Sequence, residues 1–251
     1  MEKIAAVILA AGKGKRMGVN DSSEIPKVMF EIHGKPMIEY SIENIKQSGI
    51  DKIVLIVGYK KETIMKDVGD SVEYAVQAEQ LGTGHAAMMA RPNLEGKAEA
   101  VIVCYGDMPL FKPETIKNLI KTFEEQKPTV AMLSVDFDNP EFWAYGRIVR
   151  DQNGYVEAIV EQKDCSNEQL KIKESNPGFY IFDGSWLWQN FAKISTNNAQ
   201  HEYYLTDMIK IARDQGKKIV AVKVSDVNEV LGINTPEQLK KAEEILTKSK
   251  V

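Results

Sequence analysis

The sequence predicts an α/β fold built on a mixed, mainly parallel sheet with helices on both faces. Three observations carry that prediction: short, almost wholly apolar runs, amphipathic segments alternating with them, and glycine-rich loops where some of those runs end. Ile4 to Ala10 is the first apolar run, a pattern suited to a strand buried on both faces of a parallel sheet. Ile53 to Val57 and Val101 to Cys104 read as further buried strands, each too short to form a helix of its own. Between them, Pro36 to Ser48 carries Ile38, Ile42 and Ile45 on one face, with Pro36 near its start and Gly49 at its end. Pro113 to Gln126 repeats this device with Ile116, Leu119, Ile120 and Phe123. Strand and helix alternating in this order imply parallel neighbours, and ligands in such sheets bind beyond the carboxyl ends of the strands.

The second half changes character. Gly146 to Arg150 and Tyr155 to Glu161 flank Asp151-Gln-Asn-Gly154, whose Asn-Gly pair predicts a hairpin. Gln162 to Ser175 reads as a polar excursion and Asn176 to Phe182 as another strand, so this region is expected to form a smaller mixed lobe on the main sheet. Thr235-Pro-Glu-Gln238 is a capping box with proline at the first helical position. Leu239, Ala242, Ile245 and Leu246 then line one face of a final helix.

With 251 residues the chain can bury a full core. A net charge of −4 argues against a general affinity for nucleic acid or an anionic membrane, although local basic loops can still bind phosphate. No apolar run approaches a membrane span, and the N-terminal one ends in Gly-Lys-Gly-Lys, not in a small-residue cleavage site. The two cysteines, Cys104 and Cys165, offer neither a disulfide framework nor a zinc spacing, so a cytoplasmic protein is expected.

Leu9 to Met17 is the most informative stretch. Gly12 and Gly14 alternate with Lys13, Lys15 and Arg16, which suits an anion carrying several charges, such as a triphosphate. Met17 stands where a dinucleotide-binding loop needs its third glycine, and Gly18-Val19 stand where a P-loop needs Lys and Ser or Thr. A basic surface loop is the alternative reading. Asp107, at the carboxyl end of a central strand, suits Mg²⁺, with Asn234 as a second oxygen donor; each also reads as a turn or capping residue. Lys27, held extended after Pro26, can turn its ammonium toward the first loop or remain a surface lysine. Gln77 to His85 supplies a second glycine-rich loop after the strand Val72 to Val76. Gln77 can both donate and accept, as the edge of a uracil requires, and Gly82 and Gly84 allow a flat base to approach; the loop also reads as a turn before a helix. His85 is read as a packed or capping histidine with no role of its own.

Taken together and in this order, these pieces resemble the sugar nucleotidyltransferases, which couple a nucleoside triphosphate to a sugar 1-phosphate. The likeness is closest to the pyrophosphorylase domain of the bacterial bifunctional N-acetylglucosamine-1-phosphate uridyltransferase/glucosamine-1-phosphate acetyltransferases. Leu9–Met17 with Pro26-Lys27 carries the general signature. Gln77–His85, Tyr105-Gly-Asp107, Tyr145–Ile148, Ile159–Asp164, Asn198–Gln200, Glu202–Asp207 and Gly232–Asn234 carry the narrower one. The resemblance implies a Rossmann-like single domain over 1–251, with a nucleotide half (1–135), a sugar half (136–228), and a metal-site loop and last helix (229–251). It implies that Leu9, Ala10, Ala11 and Gly12 contact the nucleotide and that Arg16 and Lys27 act on phosphate charge. Gln77, Gly82 and Thr83 would face uracil and its surroundings, and Asp107 and Asn234 would bind Mg²⁺. Gly146, Glu161, Asn176, Tyr204 and Thr206 would line the sugar pocket, with Tyr105 and Gly106 beside it.

The implied reaction makes UDP-N-acetylglucosamine and pyrophosphate from UTP and N-acetylglucosamine 1-phosphate. Glucose or N-acetylgalactosamine as the sugar, and thymine as the base, are the alternatives within the class; a non-catalytic sugar-nucleotide sensor is the alternative outside it. The sequence departs from the family pattern at Lys15, where a small hydroxyl residue is usual, in a longer stretch Gly18 to Ile25, and in Asn176-Pro177-Gly178 for Asn-Thr-Gly. No hexapeptide repeat follows residue 239, so no left-handed β-helix is expected. Uridylyl transfer without acetylation is therefore expected, from a monomer or small homo-oligomer lacking the family's usual trimerising surface.

Overall fold

The computed structural model describes residues 2–14, 17–18, 25–139 and 144–248. One ten-stranded sheet runs through it in the order β5-β4-β1-β6-β11-β7-β10-β8-β9, with β12 beside β7. Its strands are β1 (Glu2–Leu9), β4 (Ile53–Val57), β5 (Glu73–Val76), β6 (Ala98–Tyr105), β7 (Val130–Asp136), β8 (Gly146–Arg150), β9 (Val156–Val160), β10 (Glu174–Asn176), β11 (Tyr180–Asp183) and β12 (Ile219–Lys223). A small ribbon pairs β2 (Glu31–Ile32) with β3 (Lys35–Pro36). On the N-terminal side β5, β4, β1 and β6 are all parallel. Beyond β6 the pairing becomes largely antiparallel, with β11 against both β6 and β7 and β8 against β9.

The alternation along β1 shows why the sheet is covered twice. Ile4, Ala6 and Ile8 belong to one apolar core and Ala5, Val7 and Leu9 to the other. Helices Met37–Gln47 and Pro113–Gln126 bury their isoleucine and leucine faces in the first core. Helices Gly184–Asn190 and Asp207–Asp214 bury theirs in the second. Ala242 of the last helix, Pro236–Lys248, is buried in the first core with Leu239, Ile245 and Leu246 packed against it. That helix starts as its capping box dictates: Gln238 N donates to Thr235 Oγ1 at 3.2 Å, and Gln238 Oε1 accepts from Thr235 N at 3.1 Å. Among the described residues no helix is long and apolar enough to cross a membrane.

One expected element is corrected. Asn176 to Phe182 is not a single strand: the chain breaks between β10 and β11, where Pro177 has no N–H to give a ladder and Gly178 sits at φ +78°. Glu174–Asn176 lies against one end of β7 and Tyr180–Asp183 against the other. The expected polar excursion holds a short helix, Asn167–Leu170, opened by a Ser166/Gln169 capping box.

Candidate functional site

Three loops at the carboxyl ends of β1, β5 and β6 enclose a cavity of about 270 Å³. Leu9, Ala10, Ala11, Gly12, Lys27, Gln77, Gly82, Thr83, Tyr105 and Asp107 all line it. The loops are laced together by the backbone: Ala10 N donates to Ile56 O at 2.9 Å, Gly106 N to Leu9 O at 2.9 Å, and Gln77 N to Val57 O at 2.8 Å. Gly106 thus supports the wall from behind, and a Cβ there would meet Ile38 at 2.7 Å. Arg16 lies outside the described residues.

Lys27 is the electrostatic centre of this cavity. Its ammonium forms an ion pair with Asp107 Oδ2 and donates to Asn234 Oδ1 at 2.9 Å. The side chains are well covered, 13% and 19% exposed for Lys27 and Asp107, so their charges are poorly screened. The first loop closes onto the same lysine, since a side chain at Gly14, held at φ +76°, would collide with the Lys27 Cβ. Asp107 and Asn234 come together through a backbone bond as well, Ile233 N to Asp107 O at 2.9 Å. Two side-chain oxygens from distant parts of the chain therefore share one cation. A hard divalent ion favours such a donor pair, completing its shell with phosphate oxygens and water. The described residues hold no cluster of three or more His, Cys, Asp or Glu side chains that would bind a metal without that help.

The residues expected at the sugar form a second group, outside the lining of this cavity. Thr206 Oγ1 donates to Glu161 Oε1 at 3.1 Å. A Cβ at Gly146 would meet Ile159 at 2.9 Å and approach the Glu161 carboxyl, so only glycine leaves that surface open. Asn176 Nδ2 donates to the Tyr180 hydroxyl at 2.6 Å, and its Oδ1 accepts from Gly178 N at 3.0 Å. Burial pushes the Glu161 carboxyl above the usual range, partly offset by the Thr206 hydroxyl and reinforced by Asp164, Asp207 and Glu202. Burial, with the Asp164 charge, pushes Asp207 up to about 6, and burial pushes Tyr204 up to about 12.

Tyr105 joins the two groups. It lines the cavity, shares a hydrogen bond with Thr83, and lies against Gly178, where any side chain would run into its ring. A second join runs through the backbone: Tyr203 N donates to Leu81 O at 2.8 Å, Gly84 N to Tyr203 O at 2.8 Å, and Leu205 N to Thr83 Oγ1 at 3.0 Å. The reading of the sequence omitted Gln80, Val28, Ala86 and Glu202, which also line the cavity. Gln80 follows Gln77 by one turn of the same loop, and its Nε2 donates to Gln77 O at 3.3 Å; the loop motif contained the signal. His85, read as having no role, has its Nδ1 at 3.0 Å from Gln77 Nε2.

The family model of the MobA-like NTP transferase domain matches residues 6–163. The bifunctional protein GlmU of Acetivibrio thermocellus is 46% identical over 246 residues, which is 98% of this chain and 52% of that protein. The bifunctional protein GlmU of Enterococcus faecalis is 43% identical over 246 residues with the same coverage. The chain thus spans about half the length of the curated relatives it matches. Among solved structures, a UDP-glucose pyrophosphorylase complexed with UDP-glucose superposes with a TM-score of 0.76 at 18% identity, covering 99% of this chain and 100% of that one, a likeness of fold. With the match extending over more than half of its length, the chain belongs to the MobA-like NTP transferase domain family.

Proposed function

We propose that this chain transfers the uridylyl group of UTP to N-acetylglucosamine 1-phosphate, releasing pyrophosphate. The observation that carries this reading is the meeting of Asp107 and Asn234 on the Lys27 ammonium, which with Asp107 lines the cavity. The similarity to the GlmU proteins over nearly the whole chain supports the choice of substrates.

The sugar phosphate needs no general base, because its oxygens are ionised at neutral pH. One of them attacks the α-phosphorus of UTP, the bond to the bridging oxygen breaks, and pyrophosphate leaves with that electron pair. The difficulty is to hold two polyanions in line and to stabilise the charge that moves to the leaving group. Backbone amides of Ala11 and Gly12, with Arg16, receive the triphosphate. Asp107 and Asn234 are the side chains that would hold Mg²⁺, and Lys27, which they now share, would be freed to contact phosphate oxygens. When bound, the ion neutralises phosphate charge as a Lewis acid. On the other side, Glu161 and Thr206 accept and donate to sugar hydroxyls, Asn176 contributes an amide, and Gly146 keeps room for the acetamido group.

The test is a matrix of four nucleoside triphosphates against several sugar 1-phosphates, following Mg²⁺-dependent pyrophosphate release. UTP with N-acetylglucosamine 1-phosphate is expected to be fastest. Silence with every pair would overturn the enzyme in favour of a sugar-nucleotide sensor.

A further inference from the structure

Gln77 lies at the end of β5, 3% exposed, with its backbone fixed on both sides: its N donates to Val57 O at 2.8 Å and its O accepts from Gln80. Its side-chain amide is more tightly constrained still. Nε2 lies 3.0 Å from the carbonyl oxygen of Gly82, an acceptor that can never donate, so the nitrogen must be on that side. The second amide hydrogen meets Nδ1 of His85, also at 3.0 Å. That ring nitrogen must then be the bare one, with the imidazole proton on Nε2. Both hydrogens of the Gln77 amide are thus consumed inside the protein. Oε1 has no hydrogen-bond partner among the described residues, and Gln77 lines the nucleotide-side cavity.

We propose that His85 is a positioning residue that sets pyrimidine choice by locking the Gln77 amide with its oxygen toward the base. The inference rests on the uridylyl-transfer reading above. An amide oxygen so presented accepts from the N3–H of uracil and meets only a second lone pair on N3 of cytosine. A flipped amide would offer hydrogens instead and invite cytosine. His85 does this from outside the cavity that holds the base. It lines a separate apolar pocket with Leu81, Met88, Phe191 and Ile194, so changing its size does not fill the base cleft. Gly82 supplies the other half of the lock, and its φ of +111° with a backbone neighbour 2.6 Å from any Cβ keeps that carbonyl in place.

The experiment compares UTP with CTP, both in equilibrium binding by calorimetry and in kcat/KM, for the wild type, His85→Leu, His85→Phe and His85→Asn. The apolar variants remove the acceptor and should lower the UTP:CTP ratio about tenfold, the worth of one net hydrogen bond. The Gly82 carbonyl still holds one hydrogen, so preference weakens and does not invert. Asn places an oxygen where Nδ1 stood and should keep the ratio within about threefold of the wild type. Apolar variants that melt cooperatively but keep the wild-type ratio would overturn the proposal. So would an equal loss of both nucleotides, which is what a merely structural histidine gives. His85→Ala takes their place if neither folds. A wild type that binds UTP over CTP yet releases no pyrophosphate would sink the transferase reading alone, and the same binding ratios would still decide His85. A wild type without preference would sink the His85 proposal.

Discussion

In the proposed function, the two sides of the molecule meet their ligands with opposite materials. The proposed nucleotide side is a parallel sheet whose strands end in glycine-rich loops, with the Lys27–Asp107 ion pair lining the cavity they enclose. The sugar side is mostly antiparallel, and what it presents is side chains: Glu161, Asn176 and Thr206, already hydrogen-bonded among their neighbours. The contrast follows from the chemistry of the expected ligands. A polyphosphate is one large charge that many diffuse donors can hold, whereas a sugar is a set of hydroxyls that must each find a placed acceptor or donor. The cost of the second solution is a crowd of carboxylates: besides burial, the charges of Asp164, Asp207 and Glu202 raise the proton affinity of Glu161, and that of Asp164 raises the proton affinity of Asp207.

The comparison breaks most visibly if the charged centre around Lys27 is taken apart. Asp107→Ala should lower turnover by about 10²–10³-fold and flatten its dependence on Mg²⁺, with the sugar-side residues untouched. Arg16→Ala is expected to slow turnover by the same about 10²–10³-fold. Steady-state pyrophosphate release at several Mg²⁺ concentrations measures both. Retained Mg²⁺ dependence in Asp107→Ala would remove the metal assignment.

Next in size is the seam between the sides. Gly82 sits at φ +111°, and a Cβ there would come within 2.6–2.8 Å of the Tyr203 backbone. Gly82→Ala should therefore cost about 2 kcal/mol or more from strain and overpacking together, seen as a lower urea midpoint. It should also weaken UTP and the sugar phosphate together, because the same contact carries both sides. Thr206→Val is smaller and one-sided. It removes the hydroxyl that donates to Glu161 at 3.1 Å, and should raise KM for the sugar phosphate roughly tenfold while leaving KM for UTP alone.

How far all this was legible in the sequence differs between the same two sides. β1, β4 and the helix Pro113–Gln126 announce themselves, because a strand buried on both faces is an unbroken apolar run and a surface helix has a repeating face. The Asn-Gly hairpin between β8 and β9 is equally plain. The break at Pro177-Gly178 was readable in principle from the proline, but the Tyr105 ring packed against Gly178 is 73 positions away in sequence and adjacent in space, a contact no local pattern encodes. Lys27, Asp107 and Asn234 were each nominated separately. Their union on one ammonium spans 80 and 207 positions and had to come from the fold. His85 was passed over because a histidine's meaning lies in what its ring nitrogens face, here the Gln77 amide.

The smallest effect sharpens the contrast from the acidic side. Asp207 begins the helix Asp207–Asp214, and burial with the nearby Asp164 charge lifts its carboxyl from 3.8 to about 6. Below about pH 3 the group is mostly protonated whether the chain is folded or not, and the site costs almost nothing. As pH rises from about 4 to 6 the unfolded chain ionises first, so the folded state loses stability across that window and stays penalised above it. Asp207→Asn cannot ionise, and should stabilise the protein at pH 8 by about 1 kcal/mol, the helix N-terminus having favoured the lost charge somewhat. The gain should fade as pH falls through the window and vanish near pH 3, which urea unfolding at several pH values resolves. A constant gain at every pH would mean that packing, and not carboxylate crowding, governs this corner of the sugar side.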